Sequence, residues 1–94
     1  MRRAARTDAN QAAIVGALRA CGCLVESLAA VGKGVPDLAV YHPATKRLLL
    51  VEVKNGAQKP SARRLRASQV AWQAQGWPVQ VVESVEGAVA ALRA

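Results

Sequence analysis

The sequence has very few aromatic residues: they make up 3% of its 94 residues, and phenylalanine is absent. Leucine, valine and alanine must therefore fill the core. Hydrophobic residues reach 52% of the chain, which is enough to build one core and argues against disorder. At this length we expect a single domain over residues 1–94, which begins with a basic arm at residues 1–6.

Long apolar runs are also missing. No stretch approaches the roughly 20 residues of a membrane span. The chain begins with the basic residues MRRAAR, and no apolar signal-peptide core follows them. We therefore expect a soluble, cytoplasmic protein with no membrane partner.

Cysteine and histidine are scarce as well. Cys21 and Cys23 are too close together for an ordinary disulfide framework, and no second cysteine pair or nearby histidine completes a zinc site. Two reduced, mostly buried thiols near a helix end are expected. His42 is the only histidine, and no Ser/His/Asp arrangement for nucleophilic catalysis is visible.

Acidic residues are few: 6 Asp and Glu stand against 13 Lys and Arg, a net charge of +7. This excess favours a polyanionic partner such as nucleic acid or an anionic membrane. Most of the basic residues that we expect to contact DNA fall in two segments. The first contains Arg2, Arg3 and Arg6, and the second contains Lys59, Arg63, Arg64 and Arg66. The alternative is a solvated basic surface. No recognition helix or zinc finger is visible, so recognition of DNA structure is favoured over base readout.

Hydrophobic periodicity predicts an α/β fold with the element order αβββαβα. The first helix runs from Thr7 to Gly22, and the second from about Ala67 to Gln75 before Gly76. The predicted strands and the closing helix are CLVESLAA, DLAVYH, KRLLLVEVK, PVQVVES and VEGAVAALRA.

Three charged residues occur in the most apolar strands of this pattern. A hairpin whose loop is centred between positions 44 and 45 pairs position 42 with 47 and 38 with 51. Asp37 then lies across from Glu52, and opposed side chains share one face. Lys54 is two residues beyond Glu52 and takes the same face. The hairpin thus predicts a cluster of two carboxylates and one ammonium group.

Two facing carboxylates repel one another, and such a pair persists when it shares a proton or binds a cation. Oxygen ligands at this spacing suit Mg²⁺ or Mn²⁺. Lys54 would then point at the group that the metal binds, and a phosphate is the natural candidate. The alternative is a plain ion pair between Lys54 and one of the acids.

These residues resemble a known family. Pro36-Asp37 followed by Glu52-Val53-Lys54 resembles the PD-(D/E)XK nuclease motif. GKGVPDL, LLLVEVK and LRASQVAW resemble the VRR-Nuc branch, which includes stand-alone phage and bacterial proteins related to archaeal Holliday-junction resolvases. The resemblance implies a restriction-endonuclease-like αβββαβ core with a mixed sheet flanked by helices.

The resemblance also implies roles for individual residues. Asp37, Glu52 and the backbone carbonyl of Val53 would bind the metal. Lys54 would orient the attacking water or stabilise charge in the transition state, and Gln69 would support the site.

Three further features of the sequence can be compared with the relatives. Gly32, Lys33 and Gly34 match the loop that approaches the substrate phosphate. Many relatives carry an acid on the first helix, where this chain offers Asn10 or Gln11 as a neutral substitute that would bind the metal. The alternative is that both are only capping or polar residues at the start of the helix. Arg66 stands where a helix-capping residue is expected.

The implied function is a Mg²⁺- or Mn²⁺-dependent DNA endonuclease that hydrolyses phosphodiester bonds in branched DNA such as four-way junctions or flaps. It would act as a homodimer in a bacterial or phage-infected cell, without a small-molecule cofactor. Trp72 and Trp77 would belong to the core or to the dimer interface. One alternative is a DNA-binding accessory module whose nuclease site is incomplete or partner-dependent. Another is an interaction domain that binds an acidic protein.

Overall fold

The computed structural model describes residues 9–55 and 64–93, and within them it has the element order that the sequence predicts. The sheet order is β1-β2-β3-β4, with β1–β2 and β2–β3 antiparallel and β3–β4 parallel. The expected mixed sheet is thus confirmed. The elements are α1 (Ala9–Ala20), β1 (Leu24–Ser27), β2 (Leu38–His42), β3 (Arg47–Val53), α2 (Ala67–Gln73), β4 (Val79–Val82) and α3 (Val85–Ala91).

The β2–β3 hairpin has the predicted register. Leu38 pairs with Val51 and His42 pairs with Arg47 across a four-residue turn at 43–46. An even loop without a bulge keeps the alternation of faces in step on both strands. The register therefore brings position 37 toward position 52.

The core lies between one face of the sheet and the helices α1 and α3. Helix α1 contacts α3 and β1, and α3 also contacts β4. Ile14 and Leu18, which are four residues apart on α1, are both buried there. The core is aliphatic, as the scarcity of aromatic residues requires, and consists of Ile14, Leu18, Cys23, Val25, Leu38, Val40, Leu49, Val51, Val82, Ala88, Ala91 and Leu92.

Helix α1 ends in a Schellman motif around Gly22. The amide of Cys23 bonds to the Leu18 carbonyl and the amide of Gly22 to the Arg19 carbonyl, while Gly22 has a φ of 90°. Cys23 then enters the core. Cys21 is exposed, so the expectation of two mostly buried thiols is wrong for Cys21, which lies on the helix end before the chain turns inward.

The second face of the sheet is only partly covered. Helix α2 lies over the end of this face that carries Glu52, and at the other end Leu48 is 67% exposed. Helix α2 ends at Gln73, two residues before the predicted Gln75, because residues 74–76 form a turn in which Gly76 has a φ of 111°. None of the helices in the two described segments is long and apolar enough to cross a membrane.

Candidate active site

Glu52 lies on the face of β3 that points away from the core, because it alternates with Val51 and Val53. Helix α2 covers it there, and only 3% of the residue is exposed. Asp37 comes directly before β2, and its Oδ2 accepts a hydrogen bond of 2.7 Å from the Val53 amide. The aspartate thus extends the contact between β2 and β3 beyond their last backbone pair.

The two carboxyl groups influence each other. Burial raises the pKa of the Glu52 carboxyl, and the negative charge of Asp37 raises it further. Lys54 and Gln69 oppose this rise by interacting with the charged form. The charged form of Glu52 is therefore disfavoured in this place even with Lys54 beside it.

Gln69 joins the groups of this cluster. Its Nε2 donates to Glu52 Oε2 at 2.5 Å, and its Oε1 accepts from Lys54 Nζ at 3.1 Å. Lys54 Nζ also lies 3.4 Å from Glu52 Oε2, so the three side chains form a closed triangle. Gln69 is only 4% exposed, and both ends of its amide are used.

The same glutamine starts helix α2. Arg66 is the N-cap residue, but its side chain makes no capping hydrogen bond, since a guanidinium group has no acceptor. Instead, Gln69 Oε1 accepts from the Arg66 amide at 2.8 Å. The bond that begins the helix therefore also orients the amide that contacts Glu52 and Lys54.

Gly34 brings the loop before Asp37 against this helix. Its φ is 83°, and a Cβ at this position would collide with the backbone carbonyl of Ser68. Only glycine allows so close an approach in this conformation. The loop and the first turn of α2 are thus packed backbone to backbone beside Gln69.

Asn10 links the first helix to the ends of the two parallel strands. Its Nδ2 lies 2.8 Å from the Lys54 carbonyl and 3.3 Å from the Glu83 carbonyl. The Lys54 amide bonds to Val82 of β4 at 2.9 Å, so Asn10 extends this pairing past the last residues of both strands. Two carbonyl partners require a donor, which identifies the amide nitrogen as the group that faces them.

One oxygen atom of each carboxyl group in the cluster is left for a further ligand. Asp37 Oδ1 and Glu52 Oε1 accept no hydrogen bond from any residue in segments 9–55 and 64–93. Because Glu52 is buried, a carboxylate oxygen without a partner is costly there. Paired carboxylate oxygens of this kind fit a hard divalent cation. No group of three or more His, Cys, Asp or Glu side chains that could hold a metal occurs in the same segments.

Comparison with known proteins identifies the family. A solved structure described as a VRR_NUC domain is 30% identical to this chain, covers 88% of it and 89% of its own length, and superimposes with a TM-score of 0.58. The chain belongs to the VRR-Nuc family. No family model matches the sequence, and neither does any curated protein. The predicted family and fold are confirmed, and the chain is a domain of a nuclease family.

The residues that the VRR-Nuc motif predicts do come together. Asp37, Glu52, Lys54 and Gln69 form the cluster described above. The other candidate on the first helix, Gln11, is half-buried and lines a groove between α1 and β1. Among the predicted DNA contacts, Lys33, Arg64 and Arg66 are exposed, and Gly34 packs on α2. The others lie outside the described residues: Arg2, Arg3, Arg6, Lys59 and Arg63.

Two features of this VRR-Nuc site were missed by sequence reasoning. One is the contact of Asn10 with the strand ends, since Asn10 was considered only as a metal ligand or a polar residue at the helix start. The other is the packing of Gly34 on Ser68. Both join residues far apart in the chain, and no local pattern marks them. The only feature of the sequence that points to the second contact is Gly34, a glycine shortly before Asp37.

Proposed function

We propose that this VRR-Nuc domain is a Mg²⁺- or Mn²⁺-dependent DNA endonuclease that hydrolyses phosphodiester bonds, with a preference for branched DNA. The observation that carries the proposal is the triangle of Glu52, Gln69 and Lys54 beside Asp37. It gathers two acids, one cation and an orienting amide at the end of one strand. This is the arrangement that metal-assisted hydrolysis needs.

The residues that would bind the metal are Asp37, Glu52 and the backbone carbonyl of Val53. The N–H and C=O groups of one strand residue point toward the same neighbouring strand. Because the Val53 amide bonds to Asp37, the Val53 carbonyl faces that side too. Asn10 or Gln11 would add a neutral ligand from the first helix. The chemistry that a divalent cation would supply if these oxygens bound it is polarisation of a phosphoryl oxygen and a lower pKa of a bound water.

Lys54 supplies the positive charge of the protein itself. Its ammonium group is held by Glu52 and by Gln69, and 13% of its side chain remains exposed. It can therefore reach a phosphate from a fixed position. A preorganised cation of this kind stabilises charge that develops in the transition state without having to reorganise. Lys54 would also orient the attacking water through its remaining N–H group.

The exposed cations near the site support DNA as the substrate. Lys33 adjoins Gly34, which packs on the first turn of α2, and Arg64 and Arg66 precede that helix. All three thus belong to segments next to the cluster, and phosphate contacts from them would give affinity without sequence readout. Selectivity for four-way junctions would require a homodimer, since two strands must be cut and each domain carries one such cluster.

The test is cleavage of linear, flapped and four-way DNA with and without Mn²⁺. We expect Asp37→Ala, Glu52→Ala and Lys54→Ala to lower cleavage by about 10²-fold or more. Lys46→Ala is the matched control, because Lys46 is an exposed lysine in the β2–β3 turn and its loss should leave the rate unchanged. If wild-type protein cuts none of these DNAs in Mn²⁺, the endonuclease proposal fails.

The second candidate is a DNA-binding accessory module whose nuclease site is incomplete or depends on a partner. Asn10 favours it, since an amide that donates to two carbonyls stands on the helix where relatives carry an acid. This candidate predicts salt-sensitive DNA binding without metal-dependent cleavage. The same DNA panel, read for binding as well as for cleavage, separates the two functions.

A further inference from the structure

The two tryptophans of the chain form a stacked pair on the surface. The ring centroids of Trp72 and Trp77 are 4.7 Å apart, and the ring planes differ by 10°. The Trp77 Nε1–H donates to Gln75 Oε1 at 3.1 Å. The indole of Trp77 is thus held by one face and by one edge.

The pair does not serve the core. Every buried hydrophobic residue of the core is aliphatic or a cysteine, so the expectation that the tryptophans are core residues is wrong. Trp77 is 49% exposed. Because one face rests on Trp72 and the N–H edge is taken by Gln75, this exposure must belong largely to the opposite face. A chain with no phenylalanine and one tyrosine has therefore placed a flat aromatic surface in solvent.

This surface lies near the catalytic cluster. Trp72 follows Gln69 by three residues on α2, which puts both on one side of the helix about 4.5 Å apart along its axis. Trp77 stacks on Trp72, so its ring lies one ring layer from a residue that shares the Gln69 side of α2.

We propose that the free face of Trp77 is a stacking platform for an unpaired base of the DNA substrate. The ring is already fixed, so stacking loses little side-chain entropy, and every base has a face that can stack on it. A net charge of +7 draws a polyanion to this surface and disfavours a second copy of the chain as the occupant. Such a platform would select DNA with unpaired bases, such as flaps and open branch points, over a closed duplex.

The inference rests on the proposed substrate class and not on cleavage, so it is tested by binding without metal. Because Trp72 and Trp77 are the only tryptophans, all indole fluorescence of the protein comes from this pair. We expect an oligo-dT strand to quench that emission in the presence of a chelator. A blunt duplex of equal length should bind and quench much less.

Affinity for a labelled oligo-dT strand is then compared among variants. Stacking of one base contributes about 1–3 kcal/mol, so Trp77→Ala should weaken binding by about 5- to 150-fold. Trp77→Phe keeps an aromatic face and should retain most of the affinity. Trp77→Leu keeps apolar bulk without a π face and should bind as weakly as the alanine variant. Leu48→Ala is the control, because it removes an apolar side chain that is even more exposed than Trp77 and lies far from α2.

Several outcomes would overturn the platform. One is Trp77→Leu binding as tightly as wild type, and another is Trp77→Ala weakening duplex and single-strand binding equally. A wild-type dimer that Trp77→Ala converts to a monomer would show that a second copy covers the indole. If oligo-dT binding depends on Trp77 but no DNA is cut in Mn²⁺, the endonuclease proposal fails and the platform stands.

Discussion

Gln69→Glu is the sharpest test of the hydrogen-bond triangle. The substitution is almost isosteric and keeps acceptors for the Arg66 amide and for Lys54 Nζ. It removes one feature, the Nε2–H that donates to Glu52 Oε2 at 2.5 Å. A carboxylate then stands against a carboxylate in a place where both are buried.

The expected loss of stability follows from these contacts. A hydrogen bond to a charged group contributes about 1.5–3 kcal/mol. Repulsion between the two carboxylates adds to this loss, so we expect about 2–4 kcal/mol in total. For a domain of this size each kcal/mol lowers the melting temperature by about 4–8 °C, so a decrease of roughly 8–32 °C is expected near pH 8.

The pH dependence gives the signature of the pair. Repulsion and burial raise the pKa of a carboxyl at position 69 in the folded state above its unfolded value. The variant therefore keeps its stability at low pH, where the pair holds a proton, and loses it as pH rises through the folded pKa. Gln69→Ala lacks the second carboxyl and should show no such added slope.

Thermal melts between pH 4 and pH 8, in a chelator, measure this directly. Gln73→Glu is the control, since it makes the same change at the far end of α2 and should shift stability by no more than about 1 kcal/mol. If Gln69→Glu melts like wild type at pH 8, the amide of Gln69 does not hold Glu52 and the triangle is refuted.

Two further substitutions test the charges and the strand ends. Glu52→Gln removes a buried carboxylate whose pKa is raised, so in a chelator at pH 8 it should melt above wild type while losing cleavage. That gain in melting temperature should vanish as pH falls below about 4.3, the ordinary pKa of a glutamate side chain. If the melting temperature of Glu52→Gln at pH 8 is equal to or lower than that of wild type, this expectation is wrong. Asn10→Asp cannot donate to the Lys54 and Glu83 carbonyls, so it should lose about 1–3 kcal/mol in a chelator. If Asn10 instead replaces a metal-binding acid, Asn10→Asp would be as stable as wild type and would gain more melting temperature from Mn²⁺.

The hairpin could be predicted from the sequence because its rules are local. A turn of even length and the alternation of faces set which residues oppose each other. From the sequence alone, those two rules predict that Asp37, Glu52 and Lys54 lie on one face of the sheet. The structure has the same register and adds the bond from the Val53 amide to Asp37.

The partners of the cluster could not be derived in this way. Asn10 and Lys54 are 44 residues apart, and their contact depends on how α1 packs beneath the sheet. Gln69 was assigned to the site only through the family resemblance. Its second role, in starting α2, explains why Arg66 can occupy the N-cap without an acceptor: the bond comes from inside the helix.

The net charge of the site depends on Asn10 and Gln69 being neutral amides. Asp37 and Glu52 against Lys54 leave one net negative charge, and Asn10 and Gln69 hold the strand end without adding to it. A divalent cation would turn this into one net positive charge, which complements a phosphodiester. A third carboxylate in place of either amide would cancel that charge and would also lose a donor to a carbonyl or to Glu52. If the proposed function is right, an amide at position 10 is therefore consistent with a working site: it stabilises the end of β3, and the two acids would attract the metal.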